Sequence, residues 1–242
     1  MNILVTGSKG FIGKNLIRYL RSNSLHTIFE FSREDLLEDL EKKINKIDLV
    51  FHLAGLNKKT NNEDFKKVNN NLTKKLCKIL EKNRRTKIYY ASSIQAEMNN
   101  EYGRSKIECE KIILELNNFH KNKIAILRLP GIFGMGCKPN YNSVVATFCF
   151  NVLNKNALNI IEPNKEIEIV FIEDLCAQLT FLIDNNDYKN IYIKVDNINK
   201  VNINQLAKKI KNFQNISNPS VIKNDLEKKL YKTYLSYKTL KG

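Results

Sequence analysis

The chain opens on the sequence Asn2-Ile3-Leu4-Val5-Thr6-Gly7-Ser8-Lys9-Gly10-Phe11-Ile12-Gly13. An aliphatic, strand-like run leads into glycines with the spacing Gly-x-x-Gly-x-x-Gly, and a helical pattern follows over residues 14–20. In such a turn the first glycine permits a tight bend, the second lets backbone amides approach a diphosphate, and the third lets the helix pack closely on the sheet. The opening sequence therefore predicts a phosphate-binding strand–turn–helix, with a plain glycine-containing turn as the alternative.

The first half of the chain alternates short β-branched or aromatic runs with helical segments. This alternation predicts an α/β fold with a Rossmann-like, doubly wound parallel sheet. We predict a single domain over residues 1–242, with a dinucleotide-binding core over about 1–130 and a small C-terminal substrate-binding lobe and tail over about 131–242. The predicted strands cover residues 2–6, 26–31, 48–53, 87–92 and 123–128, and the predicted helices cover 11–22, 34–45, 63–83, 102–118 and 143–153. The lysine- and asparagine-rich segment 197–242 is interpreted as a terminal helix pair or a partly loose tail.

The chain is strongly basic, with a formal net charge of +15 and 40 lysines and arginines. In a nucleic-acid-binding surface such cations are usually clustered, with aromatic residues between them. Here the cations are scattered along the whole sequence. We therefore predict a solvated basic surface that favours polyanionic small ligands, and no nucleic-acid partner.

Cysteines and histidines argue against a metal site. The 5 cysteines form no Cys-x-x-Cys pair, and the 3 histidines, His26, His52 and His120, lie far apart in the sequence. No run approaches the roughly 18 apolar residues of a membrane span, and the chain begins with a strand instead of a signal sequence. These features predict a cytoplasmic protein with reduced thiols and no membrane or metal association.

The sequence Tyr102-Gly103-Arg104-Ser105-Lys106 carries the predicted chemistry. The spacing Tyr-x-x-x-Lys recurs at Tyr234/Lys238 and Tyr237/Lys241, but only the copy at Tyr102 follows a strand-like run that ends in Ser92-Ser93. Residues four apart share one face of a helix, so an ammonium would lie beside a phenol; together with the positive nicotinamide of an oxidised dinucleotide it would lower the pKa of the phenol. We predict that Tyr102 protonates a carbonyl oxygen, that Lys106 supports it, and that Ser93 hydrogen-bonds the same oxygen.

The glycine spacing together with the serine, tyrosine and lysine resembles the extended short-chain dehydrogenase/reductase superfamily. The sequence His52-Leu53-Ala54-Gly55 resembles the loop that walls the adenine in that superfamily, and Asn69 matches an asparagine on the next helix. His52 itself is interpreted as a packed residue. The resemblance implies a nicotinamide dinucleotide, whose ribose Lys106 would hold. The expected cofactor-binding residues are Gly7, Gly10, Phe11, Ile12, Gly13, Ser32, Arg33, Leu53, Ala54, Gly55 and Lys106.

The end of the second strand predicts which dinucleotide binds. A site for NAD(H) normally has an acid there that binds the ribose 2′-hydroxyl, whereas a 2′-phosphate requires a cation. Ser32 stands at the expected position of the acid, and Arg33 offers a bidentate guanidinium. This predicts NADP(H) over NAD(H), and a register shifted by two residues would reverse the prediction by bringing Glu30 to the ribose.

Longer sequences resemble a narrower family, the reductase domains of bacterial capsular polysaccharide enzymes that make the precursor of N-acetyl-L-fucosamine. They are Phe51-His52-Leu53-Ala54-Gly55, Ser92-Ser93-Ile94-Gln95-Ala96, the run from Cys137 to Cys149, and the run from Leu230 to Tyr237. The resemblance implies NADPH-dependent reduction of the C4 ketone of a UDP-4-keto-6-deoxy-hexosamine. The expected sugar-binding residues are Gln95, Lys138, Asn140 and Asn142. Alternatively, part of this run caps the helix that starts near Ser143.

The narrower family also carries a C-terminal cupin domain with a metal, to which the resemblance would assign epimerisation at C3. This sequence is expected to lack it, which leaves a separate cupin epimerase as a partner, a truncated chain, or a paralogue that accepts an epimerised substrate. Homodimers are common in the superfamily and are expected here. An epimerase and a non-catalytic NADP-binding scaffold remain alternatives, whereas dehydration is disfavoured because Ser93 is followed by Ile94-Gln95 instead of an acid pair.

Overall fold

The computed structural model describes residues 1–58, 64–82, 85–116, 124–185 and 190–238. The chain divides into two compact units. The first consists of Met1–Leu129 and Cys176–Val195, and the second of Pro130–Leu175 and Asp196–Gly242. The first unit thus includes a segment beyond the boundary predicted near residue 130.

The first unit contains a five-stranded parallel sheet with the strand order β2-β1-β3-β4-β5. Its strands are β1 (Asn2–Thr6), β2 (Thr27–Phe31), β3 (Leu49–His52), β4 (Lys87–Ser93) and β5 (Ile124–Leu129). Connecting helices are α1 (Phe11–Asn23), α2 (Leu37–Lys43), α3 (Asn71–Glu81) and α4 (Glu101–Glu115). The predicted Rossmann-like, doubly wound sheet is confirmed.

The strand order defines where a ligand can bind. The chain moves from β1 to β2 on one side and then returns past β1 to β3, so the direction of winding reverses between β1 and β3. Ligands of such sheets bind at this switch point, beyond the carboxyl ends of the strands. The glycine turn follows β1 and the Leu53-Ala54-Gly55 loop follows β3, so both predicted cofactor loops flank the switch point.

Apolar residues on the central strands form the core beneath these loops. All four residues of β3 are buried, as expected for a strand covered on both faces. Ile3, Val5 and Tyr89 on the neighbouring strands have at most 1% exposure. The strand ends are therefore held on a rigid base.

Two helices differ from the prediction. Helix α2 begins at Leu37 instead of residue 34, because Asp35 accepts hydrogen bonds from the backbone and side chain of Ser32 and holds the preceding residues in a turn. Before α3, Lys66–Asn70 form a π-helical turn. The wider turn buries the consecutive residues Asn69 and Asn70. Residues 63 and 83, the predicted ends of this helix, lie outside the described residues.

The second unit contains a small mixed sheet of β6 (Gly131–Phe133), β7 (Glu166–Phe171) and β8 (Asn199–Asn202). Its helices are α5 (Val144–Leu153), α7 (Ile203–Asn212) and α8 (Asp225–Lys238), while α6 (Ile172–Asp184) crosses the boundary between the units. The terminal segment thus forms the predicted helix pair, preceded by a strand. None of the helices in the described residues is both long and apolar enough to span a membrane.

Candidate active site

Ser93 and Tyr102 are brought together by a tight connection between β4 and α4. Ser93 ends β4, and its hydroxyl oxygen accepts a hydrogen bond from the backbone N–H of Gln95, at 3.2 Å, in a short 3₁₀ turn. Asn100 caps α4 by accepting a hydrogen bond from the N–H of Gly103 at 2.7 Å. Tyr102, in the first turn of α4, is hydrogen-bonded to the side chain of Ser93.

Gly103 allows this connection to be so close. A Cβ atom at this position would lie 2.7 Å from the carbonyl oxygen of Met98 and closer still to that of Gln95. Both obstacles are backbone atoms, which cannot swing aside as a flexible side chain can. A residue in the variable part of the Tyr-x-x-x-Lys spacing is therefore constrained to glycine.

Lys106 lies one helical turn after Tyr102 and is buried. Its Nζ donates a hydrogen bond to the carbonyl oxygen of Ala91 at 2.8 Å and lies 5.8 Å from the centroid of the Tyr102 ring. A Cβ atom on Gly55 would lie 3.7 Å from this Nζ, so the loop after β3 reaches the same place. The three predicted catalytic residues therefore lie close to the predicted cofactor loop after β3.

Burial dominates the ionisation of this site. It raises the pKa of Tyr102 to about 12, although the hydrogen bond with Ser93 opposes the change. Within the site formed by the chain's own residues, desolvation outweighs the hydrogen bond with Ser93, so the predicted lowering of the phenol's pKa by the ammonium and an oxidised nicotinamide together is not reached there. Burial also lowers the pKa of Lys106 to about 8, although Cys109 and Glu110 oppose it. Tyr102 is consequently a protonated phenol at neutral pH.

The glycine turn fits the diphosphate of a dinucleotide. Gly7 has a φ of 70°, and a Cβ atom there would lie 2.8 Å from the backbone nitrogen of Ala54. A Cβ atom on Gly13 would lie 3.0 Å from the Cα of Ser8 and closer still to the carbonyl oxygen of Gly7. Gly10 is the N-cap of α1, and no acidic residue occupies the first turn. The helix start therefore presents backbone N–H groups of Phe11, Ile12 and Gly13 to an anion.

His52 is a structural residue, as predicted, and its hydrogen bonds form a chain with one direction. The Ala54 N–H donates to the hydroxyl of Thr6 at 3.2 Å, and that hydroxyl lies 2.8 Å from His52 Nδ1. His52 Nε2 lies 3.0 Å from the hydroxyl of Thr73, which donates to the carbonyl oxygen of Asn69 at 2.9 Å. Because Thr73 uses its proton on Asn69, Nε2 carries the ring proton and Nδ1 accepts from Thr6. A second ring proton, on Nδ1, would disrupt the hydrogen bond that His52 accepts from Thr6.

We therefore expect the free energy of unfolding to fall as the pH drops below about 6.5. Burial lowers the pKa of His52 to about 3. Between this value and pH 6.5, His52 therefore binds a proton in the unfolded chain but not in the folded chain. From a reference pKa near 6.5, the loss at pH 5 is about 2 kcal/mol. Urea unfolding at pH 7 and pH 5 measures it. His52→Gln should lose less stability over this interval, and an equal loss in both proteins would contradict the interpretation.

The end of β2 combines the predicted residues with an acid that was not predicted. Ser32 is buried and donates its hydroxyl and backbone N–H to Asp35, at 2.8 and 2.6 Å. Arg33 is exposed. Lys9, in the glycine turn, is paired with Glu34, so a second cation lies at this end of the strand. Glu30 pairs with Arg21 of α1 at 2.9 Å.

Three of the predicted sugar-binding residues lie in the second unit. Asn140 has a φ of 55°, and its backbone N–H donates to the hydroxyl of Thr147 at 3.0 Å. Lys138 Nζ lies 5.6 Å from the ring centroid of Tyr141. Ser143 caps α5 by accepting from the N–H of Ala146, so the capping alternative holds for this residue. The sugar-binding roles of Lys138, Asn140 and Asn142 stay predictions, as does that of Gln95, whose Oε1 accepts from Asn100.

The tyrosines of the other two copies of the Tyr-x-x-x-Lys spacing fall on α8 and serve packing. Tyr234 packs against Phe213 and Tyr231, and the hydroxyl of Tyr237 donates to the carbonyl oxygen of Cys137. Lys241 lies outside the described residues, as does His120. Within the part of the chain that the structure describes, no group of three His, Cys, Asp or Glu residues could hold a metal ion.

Sequence reasoning missed Lys9, Asp35, Gly103 and Glu110 at this site. A cation inside the glycine turn and a glycine in the first turn of a helix are signals that could have identified Lys9 and Gly103. Asp35 follows its partner Ser32 by three residues, so a serine three residues before an acid is the signal that could have identified it. No local signal identifies Glu110, because its partners come from distant segments.

Comparison with known proteins shows which family the chain belongs to. The family model described as "NAD dependent epimerase/dehydratase family" matches residues 3–195. The chain belongs to the NAD dependent epimerase/dehydratase family. The glycine turn, the loop after β3 and the serine, tyrosine and lysine all lie within the matched residues.

Several relatives of this epimerase/dehydratase-family chain are known. It is 36% identical, over 98% of its length, to a UDP-2-acetamido-2,6-beta-L-arabino-hexul-4-ose reductase of Pseudomonas aeruginosa and spans 65% of that protein. It is 34% identical to the capsular polysaccharide assembling protein CapF of Staphylococcus aureus, with a TM-score of 0.84, covering 98% of this chain and 66% of that one. A UDP-glucuronic acid 4-epimerase of Bacillus cereus, solved with NAD, has a TM-score of 0.85 at 19% identity with full coverage of both chains, which supports the fold.

Proposed function

We propose that this protein reduces the C4 ketone of a UDP-4-keto-6-deoxy-hexosamine with NADPH, in the synthesis of a surface polysaccharide precursor. The observation that carries the proposal is the hydrogen-bonded pair of Ser93 and Tyr102 beside the buried Lys106. Likeness to a Pseudomonas aeruginosa protein named as a UDP-hexulose reductase supports the substrate class. The sugar-binding roles of Gln95, Lys138, Asn140 and Asn142 belong to the same proposal.

Ser93, Tyr102 and Lys106 have different roles at the carbonyl oxygen of the substrate. The glycine turn and the Leu53-Ala54-Gly55 loop would hold a nicotinamide cofactor, which would supply the hydride needed at the carbonyl carbon. Ser93 is hydrogen-bonded to Tyr102 and accepts from Gln95; with a ketone bound, its hydroxyl would turn its proton to the carbonyl oxygen. Tyr102, a protonated phenol at neutral pH, transfers its proton to the same oxygen. Lys106 is positioned to stabilise the phenolate that remains.

The preference for NADPH rests on the cations near the end of β2. Arg33 follows Ser32 directly, and Lys9 in the glycine turn is paired with Glu34. A 2′-phosphate would compete with Glu34 for Lys9 and bind Arg33 in a bidentate manner. Asp35 acts in the opposite direction, since its carboxylate would repel a phosphate and suits a ribose hydroxyl. We favour NADPH because both acids there already have partners, Glu34 in Lys9 and Asp35 in Ser32, and the guanidinium of Arg33 suits a phosphate.

Replacing Arg33 with alanine should weaken NADPH binding about 10- to 100-fold, because a charge-assisted hydrogen bond to phosphate is worth about 1.5–3 kcal/mol. NADH binding should change little, since NADH lacks the phosphate. Dissociation constants for both cofactors, measured by fluorescence titration, test this. Lys165→Ala is a matched control, because it removes an exposed cation that pairs with Glu162 in the second unit. An equal loss for both cofactors in Arg33→Ala would refute the assignment of the 2′-phosphate.

The assay for the proposed function supplies freshly prepared UDP-4-keto-6-deoxy-hexosamine and follows NADPH absorbance. Net oxidation of NADPH, with formation of a 4-hydroxy sugar, supports the reductase. Adding a separate cupin epimerase shows whether the ketone must first be epimerised at C3. Interconversion of sugars without net oxidation of the dinucleotide would favour an epimerase, and tight cofactor binding without turnover would favour a scaffold. Sedimentation of the same preparation tests the expected homodimer.

A further inference from the structure

Glu110, on α4, is a fully buried carboxylate that the mechanism above does not use; its side chain has 0% exposure. Oε1 accepts hydrogen bonds from the hydroxyl of Ser92 and from Arg128 Nε, the latter at 3.0 Å. Oε2 accepts from Arg128 Nη2 at 2.7 Å and from the hydroxyl of Tyr192 at 3.1 Å. Each oxygen therefore has two donors, and the carboxylate is fully satisfied.

These donors come from three separate segments of the first unit. Ser92 lies on β4, Arg128 on β5, and Tyr192 on a segment that pairs with β5 through Ile126. The guanidinium of Arg128 also lies 4.9 Å from the ring centroid of Tyr192. One carboxylate thus connects α4 to the adjacent ends of the sheet.

The position of Glu110 relates this connection to the candidate active site. Ser92 is the immediate neighbour of Ser93, and Glu110 lies one helical turn after Lys106 and two after Tyr102. A displacement of α4 along β4 would separate Tyr102 from Ser93. Small displacements matter, because about 1 Å of misplacement can lower a reaction rate about 100-fold.

We propose that Glu110 is a positioning residue, which holds α4 against the ends of β4 and β5 so that Tyr102 and Lys106 meet Ser93. This inference rests on the proposed function of those three residues. Glu110 contacts neither substrate nor cofactor and acts only through its neighbours.

The charge of Glu110 adds an electrostatic contribution. Burial lowers the pKa of Lys106, and the carboxylate of Glu110 opposes that effect. Removing the charge should therefore shift the titration of Lys106 further down, so that a larger fraction of Lys106 is neutral at working pH. This titration reports the charge of Glu110 at Lys106, whereas a loss of kcat with little change in KM reports the positioning of α4.

Glu110→Gln tests the proposal, because glutamine keeps the size but replaces one acceptor oxygen with an NH₂ donor that faces other donors. Glu97→Gln is the matched control. Glu97 pairs with the same Arg128, at 2.7 Å, but its side chain is 73% exposed. The readouts are kcat and KM for ketone reduction and the Lys106 titration, followed by nitrogen NMR of labelled lysine and assigned with Lys106→Arg.

We expect Glu110→Gln to lower kcat about 100-fold with little change in KM and to shift the Lys106 midpoint downward, whereas Glu97→Gln changes neither. An unchanged kcat and midpoint in Glu110→Gln would overturn the inference, as would a loss of thermal stability alone. If Glu110→Gln does not fold, Ser92→Ala carries the test, because it keeps the pair between Glu110 and Arg128. An unchanged kcat in Ser92→Ala would then overturn the positioning role.

If the reductase proposal is wrong, the experiments give a different result from the one expected if only the role of Glu110 is wrong. If the unaltered protein reduces no ketone, the reductase proposal fails. The Lys106 titration still tests the link between Glu110 and Lys106, because it requires neither substrate nor turnover. The two outcomes are therefore distinguishable.

Discussion

Tyr102→Phe is expected to reduce the rate of ketone reduction by roughly 10²- to 10⁴-fold, the usual contribution of a positioned general acid. The substitution removes only the hydroxyl that donates the proton and keeps the ring, which packs against Phe65 with 5.4 Å between centroids. Fold and cofactor binding should therefore persist. Steady-state oxidation of NADPH with the UDP-4-keto sugar measures the loss, and cofactor titration shows that the site is intact.

Tyr234→Phe is the matched control for this experiment. Tyr234 and Lys238 have the same spacing on α8, and Tyr234 packs within a cluster of aromatic side chains. Removing its hydroxyl should leave the rate close to that of the unaltered protein. Equal rates for Tyr102→Phe and Tyr234→Phe would remove Tyr102 from the reaction and with it the proposed mechanism.

Gly103→Ala is expected to have a comparable effect on activity for a steric reason. The added Cβ would lie 2.7 Å from the carbonyl oxygen of Met98 and closer to that of Gln95, so the start of α4 must move away from the turn after β4. This movement separates Tyr102 from Ser93. Overpacking of this kind costs about 1–3 kcal/mol of stability.

The Gly103→Ala experiment needs two measurements on the same sample. Thermal unfolding followed by circular dichroism gives the loss of stability, and NADPH oxidation by the folded protein gives the loss of rate. Arg104→Ala is the control, since Arg104 is the exposed neighbour in the same helical turn and bonds only to Asn99 in the described contacts. A Gly103→Ala protein that is as stable and active as Arg104→Ala would show that the close approach is unnecessary.

Much of the first unit could be predicted from local sequence. The alternation of apolar runs and helical segments reports which residues are buried, and burial dominates the choice between strand and helix. All five predicted parallel strands are present within a residue or so of their expected ends. The copy of Tyr-x-x-x-Lys that lies beside Ser93 was also identifiable, because the strand and paired serines before it are adjacent in sequence.

Apolar patterning was least informative where hydrogen bonds of individual polar side chains determine the backbone. Helix α2 starts late because Asp35 binds Ser32, and the π turn before α3 accompanies the burial of Asn69, which exchanges hydrogen bonds with the backbone of Leu56. A pattern of apolar residues contains no information on these polar contacts. The boundary near residue 130 likewise did not reveal that residues 176–195 join the first unit.

The strand–turn–helix at Gly7, the parallel sheet and the choice of Ser93, Tyr102 and Lys106 as candidates followed from the sequence, because spacing and periodicity are local properties. The ionisation of these residues depends on the folded chain, since desolvation is set by what surrounds them: burial raises the pKa of Tyr102 and lowers that of Lys106. The folded chain also determines the role of Glu110, whose four hydrogen bonds come from residues far apart in the sequence. Packing creates both effects, and packing is a property of the whole fold.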